Sequence, residues 1–416
     1  MTSKNRGIHF LPEPQSVHFP GKDSQVASTT FKNLKPTRSQ LRRLPAGIKL
    51  SKTKISTNEQ AYTLKISKDS VEIISGHETG WHYGILTLQQ LADDADPFLP
   101  QCSIEDFPDF ERRGMMLDIS RNKVPKLETL FYLIDLFASW KINELQLYIE
   151  HTFAYKGHEV VWQNASPLTE LEIRKLDTYC QERYVELVPN LNCFGHMSRW
   201  LIHEAYRPLA EQPEGGETDY GFRKDPQGLC AIDEGSLDLA SDLIQQLSAC
   251  FDSSQVNVGC DETIDLGYGR SRNAVEKKGR GAVYLEYLKK VHAICQRDDR
   301  AMQFWADILL KYPELAPKVP GGCIALNWGY QGNHPFDEET RCLQNSGTDF
   351  YVCPGTSSWN SIGGRTKNMV ENISSAAQCG KANGAKGLMT TDWGDNGHWQ
   401  PLVSSFPGFI LGASKA

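Results

Sequence analysis

The sequence has no apolar run of membrane-spanning length, no excess of positive charge and no paired cysteine spacing, and each absence removes a class of function. A spanning helix needs about 20 consecutive apolar residues. A formal charge of −7 offers no basic footprint to phosphate backbones or anionic lipid, so neither nucleic acid nor a membrane is expected as a partner. The eleven cysteines include no C-x-x-C pair, which argues against a zinc finger or a disulfide framework and leaves buried free thiols as the expectation. No glycine-rich phosphate loop follows the first strand of the larger region, and no cofactor or metal is expected. Residues 1–12 carry Lys4 and Arg6 but neither a long apolar core nor a small-residue cleavage site. The cytoplasm is therefore the default, although a chain already trimmed of a signal would read the same way. The sequons at Asn164 and Asn372 carry little weight in that setting.

What the chain does have is size and patterning. With 416 residues and 40% hydrophobic content it can bury one large core and one small one. Residues 1–109 read as an α+β accessory domain. Tyr62, Leu64 and Ile66 alternate with polar residues, Ser67-Lys68-Asp69 makes a turn, and Val71 and Ile73 resume the alternation, which is a hairpin signal. Trp81, Ile85, Leu88 and Leu91 then fall at helical spacing and would lay one apolar stripe on that sheet. Asp106-Phe107-Pro108-Asp109 reads as a linker.

Residues 110–416 repeat a strand and then a helix. Strand-like runs occupy 114–119, 142–149, 184–191, 256–259, 302–308, 324–328, 350–353 and 387–391. Leu127, Leu130, Phe131, Ile134 and Phe137 mark one intervening amphipathic helix, and Leu237, Ala240, Ile244 and Leu247 another. Thr169 and Glu172 are spaced as a capping box, with Leu168 placed to staple against Ile173. Eight such units over about 300 residues predict a (β/α)8 barrel rather than a doubly wound open sheet. The stretch 401–416 is short for a closing helix, and the sequence does not say whether the natural chain continues past it.

In a barrel of this kind the C-terminal strand ends carry the chemistry, and here they are rich in acids and aromatics. The apolar run Val256-Asn257-Val258-Gly259 ends at Cys260-Asp261-Glu262, two adjacent carboxylic acids where burial makes charge costly. A capped turn would explain that pair alone. The other strand ends supply Asp118 and Arg121, Glu150 and His151, Asn190, Asn192 and His196, Trp305 and Asp307, Asn327, Trp328 and Tyr330, Trp359 and Asn360, and Asp392, Trp393 and Asp395, with Trp399 beyond. Any single tryptophan is ordinary packing. Five at or beyond the last four strands suit a sugar, whose C–H faces pack on rings and whose hydroxyls need paired hydrogen bonds.

These residues resemble the family 20 glycoside hydrolases, the β-N-acetylhexosaminidases. The resemblance is carried by Arg113-Gly114-Met115-Met116-Leu117-Asp118-Ile119-Ser120-Arg121, Trp140-Lys141-Ile142-Asn143, Phe194-Gly195-His196 and Gly259-Cys260-Asp261-Glu262. It extends to Glu59-Gln60-Ala61-Tyr62-Thr63-Leu64 and to the run from Gly84 to Leu91, which look like that family's small domain. The resemblance implies retaining, exo-acting removal of terminal β-linked GlcNAc or GalNAc, with the substrate's own acetamido oxygen as nucleophile and an oxazolinium intermediate. It implies Glu262 as general acid with a raised pKa and Asp261 as the ionised group that orients the acetamido group. It also implies Arg113 as the grip on sugar hydroxyls and His196 as a tuner of proton transfer through Glu150. Trp305, Trp328 and Trp393 would enclose the acetamido methyl, with Asp395 or Asn360 at the far hydroxyls. The expected partner is an N-acetylhexosamine-terminated oligosaccharide or glycoconjugate.

The chain departs from the family pattern in three places. Asn257 and Cys260 stand where the best-known members have histidine and glycine, and Glu150-His151-Thr152 replaces a histidine followed by an Asp-rich segment. The usual tyrosine for the acetamido oxygen is not evident, with Trp359 near its place and Tyr330 as a substitute. Two other readings stay open. One is a retaining glycosidase with a protein nucleophile such as Asp392 or Asp307, about 5 Å from the acid. The other is an inactive carbohydrate-binding barrel, which would keep the tryptophans and lose the acids.

Overall fold

The alternating pattern closes into a barrel in the computed structural model, which describes residues 7–416 apart from 33, 35, 42 and 46. Residues 1–6, including Lys4 and Arg6 of the N-terminal reading, lie outside the described residues. Among the described residues seven strands precede the barrel: β1 (Ser16–His18), β2 (Asp23–Ala27), β3 (Ile48–Lys52), β4 (Tyr62–Ile66), β5 (Val71–Ser75), β6 (Phe98–Pro100) and β7 (Cys102–Asp106). Five of them form a sheet in the order β1-β7-β4-β5-β3, and β2 pairs with β6. The β4–β5 hairpin is antiparallel and pairs Leu64 with Ile73, so the alternation seen in the sequence faces one core. The helix Glu78–Asp94 starts at His77, whose ring accepts the Thr79 amide, and buries Ile85, Leu88 and Leu91 against that sheet. Each such side chain contributes roughly 1.5–3 kcal/mol on burial, as an upper estimate.

The barrel strands are β8 (Arg112–Asp118), β9 (Glu144–Ile149), β10 (Glu186–Leu191), β11 (Gln255–Asn257), β12 (Ala301–Trp305), β13 (Ile324–Trp328), β14 (Asp349–Cys353) and β15 (Gly387–Asp392). They run parallel in sequence order, and β15 closes on β8 with Gly387 opposite Arg112. Each expected strand is present, with one notable shortening. The run 302–308 ends as a strand at Trp305, and Asp307 begins the helix Asp307–Lys311, which turns its carboxylate toward the strand-end loops. The capping box forms in full, Thr169 Oγ1 accepting the Glu172 amide while the Glu172 carboxylate accepts the Thr169 amide. The closing helix runs Phe406–Lys415, and the Ala416 carbonyl accepts the amides of Asp109 and Phe110 at 3.2 Å. Among the described residues no helix is long and apolar enough to cross a membrane.

Alternation along β9 shows how the barrel is filled. Leu145, Leu147 and Ile149 face the helices, while Glu144, Gln146 and Tyr148 fall on the opposite face of the strand. The interior is polar and largely pairs with itself: Gln146 donates to Glu144 and Gln303, and its carbonyl accepts from Asn190 at 2.9 Å and Asn257 at 3.0 Å, while Asn190 Oδ1 is left without a partner among the described residues. Buried amides that pair with one another avoid the desolvation cost of lone ones. A second buried polar cluster joins accessory domain and barrel, with Lys141 Nζ 2.7 Å from Asp106 and 3.0 Å from the Tyr62 hydroxyl.

Candidate active site

Ten side chains from seven strand-end loops meet at the C-terminal mouth in a pocket of about 180 Å³: Arg121, His196, Asp261, Glu262, Trp305, Trp328, Tyr330, Trp359, Trp393 and Asp395. The acid pair sits on a tightly held turn. Gly259 has φ +70°, and a Cβ there would lie 2.0 Å from Asn192 Oδ1, so only glycine fits. Cys260 and Glu262 follow with φ of +67° and +44°, and His196 has +53°. Such backbone costs about 1–3 kcal/mol per residue and persists only where neighbours over-determine it. Gly195 provides one such contact, since a Cβ there would stand 2.2 Å from the Asp261 carbonyl oxygen. The Tyr284 hydroxyl provides another by donating to the Cys260 carbonyl at 3.0 Å.

His196 Nε2 lies 3.3 Å from Asp261 Oδ2 and 3.4 Å from Glu262 Oε2. Burial alone would depress the imidazole, but the Asp261 charge and hydrogen bonds to both carboxylates outweigh it and push the pKa up to about 10. The same hydrogen bond from His196 holds the Glu262 carboxyl below its usual range in spite of burial. This corrects the expectation of a raised Glu262. Asp307 is instead raised, burial and the Asp261 charge pushing it to about 7 against the lowering effect of the Glu262 amide that donates to it at 3.2 Å, and burial also raises Asp395 of the pocket.

The aromatic walls interlock. Trp328 stacks on Tyr330 at 5.3 Å, Trp359 meets Tyr330 edge-on at 5.0 Å, and Trp393 donates its indole N–H to the Tyr330 hydroxyl at 2.7 Å. Trp393 also lies 5.8 Å from Trp305. Tyr330 thus stands inside the pocket beside Trp359. Asp395 lines the pocket, whereas Asn360 stands one step behind and donates to it at 2.9 Å.

Two assignments change. Arg113 is 2% exposed at the N-terminal end of β8, the opposite end of the barrel from the acids. Its guanidinium donates to the carbonyls of Lys141 and Phe110 and to the Tyr83 hydroxyl, clasping the accessory domain. The arginine at the pocket is Arg121, just past the C-terminal end of the same strand. It pairs with Asp118 at 3.1 Å and Glu150 at 3.0 Å and lies over the rings of Tyr148 and Trp393. Catalytic groups gather at C-terminal strand ends, and that rule applied strictly would have selected Arg121 from the sequence. Glu150 is engaged by Arg121 and by the Tyr148 hydroxyl, not by His196, so the expected relay through Glu150 does not form. The partner of His196 is the acid pair itself.

The rival nucleophiles are turned elsewhere. Asp392 Oδ1 accepts hydroxyls from Thr356, Ser358 and Ser405, and Asp307 holds the Glu262 amide. His196, Asp261 and Glu262 each present a ligand atom within 4.8 Å of the others, a spacing a small cation could use. A protonated imidazole has no lone pair to give, so the high pKa of His196 opposes that use. A larger crevice of about 870 Å³ lies on the N-terminal side, between Arg38, Gln60 and Tyr83 of the accessory domain and Arg112 and Glu186 of the barrel. That is the face of a barrel where residues serve stability.

An acid pair with an attendant histidine, in a tryptophan-walled pocket on a barrel's C-terminal rim, is the apparatus of a glycoside hydrolase. The sequence profile of the glycosyl hydrolase family 20 catalytic domain matches residues 110–400 and that of the family's domain 2 matches residues 22–107, and the chain belongs to glycosyl hydrolase family 20. It is 25% identical over 303 residues to a beta-hexosaminidase of Akkermansia muciniphila, an alignment covering 65% of this chain and 60% of that one. The chain thus spans about three fifths of that relative's length. Its fold is similar to that of a Flavobacterium johnsoniae chitobiase, with a TM-score of 0.78 at 18% identity over 99% of this chain and 69% of the other. It is similar also to a Streptomyces plicatus N-acetyl-beta-hexosaminidase, with a TM-score of 0.73 at 19% identity over 99% and 90% of the two chains.

Proposed function

We propose that the chain is a retaining exo-β-N-acetylhexosaminidase that removes terminal β-linked GlcNAc or GalNAc from oligosaccharides or glycoconjugates with the substrate's acetamido group as nucleophile. The observation that carries this reading is the His196–Asp261–Glu262 cluster facing four tryptophans in one small pocket. No third carboxylate stands free beside it as a nucleophile among the described pocket residues except Asp395, which Asn360 holds.

In the first step the proton shared by His196 and Glu262 passes to the glycosidic oxygen as the C1–O bond breaks, and the acetamido oxygen bonds to C1 to give an oxazolinium. Asp261, partly stripped of water, accepts the acetamido N–H and balances the positive ring. In the second step Glu262, with the shared proton gone, takes a proton from water as the water oxygen attacks C1, which reopens the ring with retained configuration. Proton count is conserved: the pair begins and ends the cycle with one proton. The tryptophans exclude water and pack the methyl and ring faces. Among the described residues no disulfide joins any of the eleven cysteines, which supports the cytoplasmic setting, and recovery of the native protein outside the cell would overturn it.

The test is cleavage of an aryl β-GlcNAc and of the matching aryl β-glucoside by wild type and Glu262→Gln. Release from the acetamido sugar alone, lost by roughly 10²–10⁴-fold in the variant, is expected. Equal release from both sugars would sink acetamido assistance.

A further inference from the structure

Beside the acid pair stands a hairpin that the catalytic cycle above does not use. Gly216 and Arg223 pair as an antiparallel bridge, and the tip Thr218-Asp219-Tyr220-Gly221 is a tight turn, with Gly221 at φ +88° and its amide donating to the Thr218 carbonyl at 3.1 Å. The tip is tied to the loop that follows Glu262. The Asp219 amide donates to the Ile264 carbonyl at 3.0 Å, two residues past the acid. Arg280 pairs with both Asp219 oxygens at 2.9 Å while its Nε donates to the Leu266 carbonyl, and the Tyr268 hydroxyl donates to Asp219 at 3.1 Å.

This rigid mount displays two rings to water: Tyr220 is 60% and Phe222 67% exposed. The bond from the Asp219 amide to the Ile264 carbonyl sets Tyr220, the next residue, beside the loop that carries Glu262, and partial burial, then the Glu262 charge, raise the Tyr220 hydroxyl in keeping with that placement. The pocket walls of Trp305, Trp328, Trp359 and Trp393 account for the sugar being released, and Glu262, 33% exposed in its side chain against 8% for Asp261, is the more open of the two acids. A group protonated by Glu262 must leave through that open side.

We propose that Tyr220 and Phe222 form the platform for the leaving group, stacking the apolar face of the next sugar ring of an oligosaccharide. This rests on the hexosaminidase reading. Two exposed rings held in place by an ion pair lose little entropy on receiving a sugar face, as suits a recognition surface.

The test compares kcat/KM for the β-1,4-linked GlcNAc dimer, whose leaving group is a sugar, with that for methyl β-GlcNAc, whose leaving group is too small to stack. Tyr220→Ala and Phe222→Ala should each lose about 10-fold on the dimer, mainly through KM, and stay within about 2-fold on the methyl glycoside. Tyr220→Phe, which keeps the ring, should restore the dimer rate. Equal losses on both substrates, or no loss on the dimer, would overturn the platform while leaving the hydrolase reading intact. A wild type inert to both would overturn the hydrolase reading and the platform with it. Should Tyr220→Ala fail to fold, Phe222→Ala carries the same comparison.

Discussion

Replacing His196 with asparagine tests the claim that one proton is shared between the imidazole and Glu262. In the wild type that proton leaves only when His196, pushed up to about 10, gives it up, so the basic limb of the kcat/KM profile should lie well above neutrality. Without the imidazole the proton must reside on Glu262 alone. Its carboxyl then loses the hydrogen bond and charge that hold it low and keeps the burial that raises it. The basic limb should retreat by several pH units toward the carboxylate range. At pH 8 the variant should be down by roughly 10²–10³-fold, and at pH 5 by much less. Stability carries the same signature. The folded pKa of His196 lies above the unfolded value near 6.5, so its bound proton stabilises the fold fully below that pH, and the contribution drains away as pH rises toward about 10. The shift from 6.5 to about 10 corresponds to on the order of 5 kcal/mol, counted once for the pair and with the opposing burial already included. Seen from Glu262, whose pKa is lowered, the same contribution is lost as pH falls below the ordinary carboxylate range. Urea melts from pH 6 to 10 should therefore show the wild type losing more stability than His196→Asn. A variant whose rate falls by one factor at every pH, with an unmoved basic limb, would refute the shared proton.

Arg121→Ala should lower kcat/KM by about 10²-fold or more, because it removes the charge facing the pocket and unpairs Asp118 and Glu150. Arg113→Ala should instead cost about 2–4 kcal/mol of stability by orphaning buried carbonyls at the domain junction, with kcat of the folded protein nearly unchanged. Paired kinetics and urea melts on the two variants read this, and a stable, inactive Arg113→Ala would reverse the assignment. Gly195→Ala should displace the Asp261 carbonyl by driving a methyl to within 2.2 Å of it, lowering kcat by about 10²-fold in a steady-state assay. Wild-type turnover in that variant would show that the loop yields without cost.

Periodicity was enough for the fold because the barrel strands here are buried along nearly all their length and the main intervening helices bury apolar stripes, so local pattern and tertiary environment agree. Where they part, the cause is specific. The strand at 302–308 ends early because Asp307 turns back to hold the Glu262 amide, a demand from another loop. Arg113 and Arg121 share one motif, and no local pattern says which end of a strand faces the site; strand direction within the closed barrel does. Glu150 could reach either His196 or Arg121 on paper, and the cation lying over Tyr148 and Trp393 takes it.

The sequence by itself determined the barrel, the accessory sheet, the acid pair and the aromatic wall, because residue type, spacing and burial pattern are local properties of the chain. Only the tertiary structure decided the proton's address. Whether Glu262 is raised or lowered depends on a histidine 66 positions earlier meeting it at 3.4 Å, and electrostatic interaction follows distance in space and not separation along the chain.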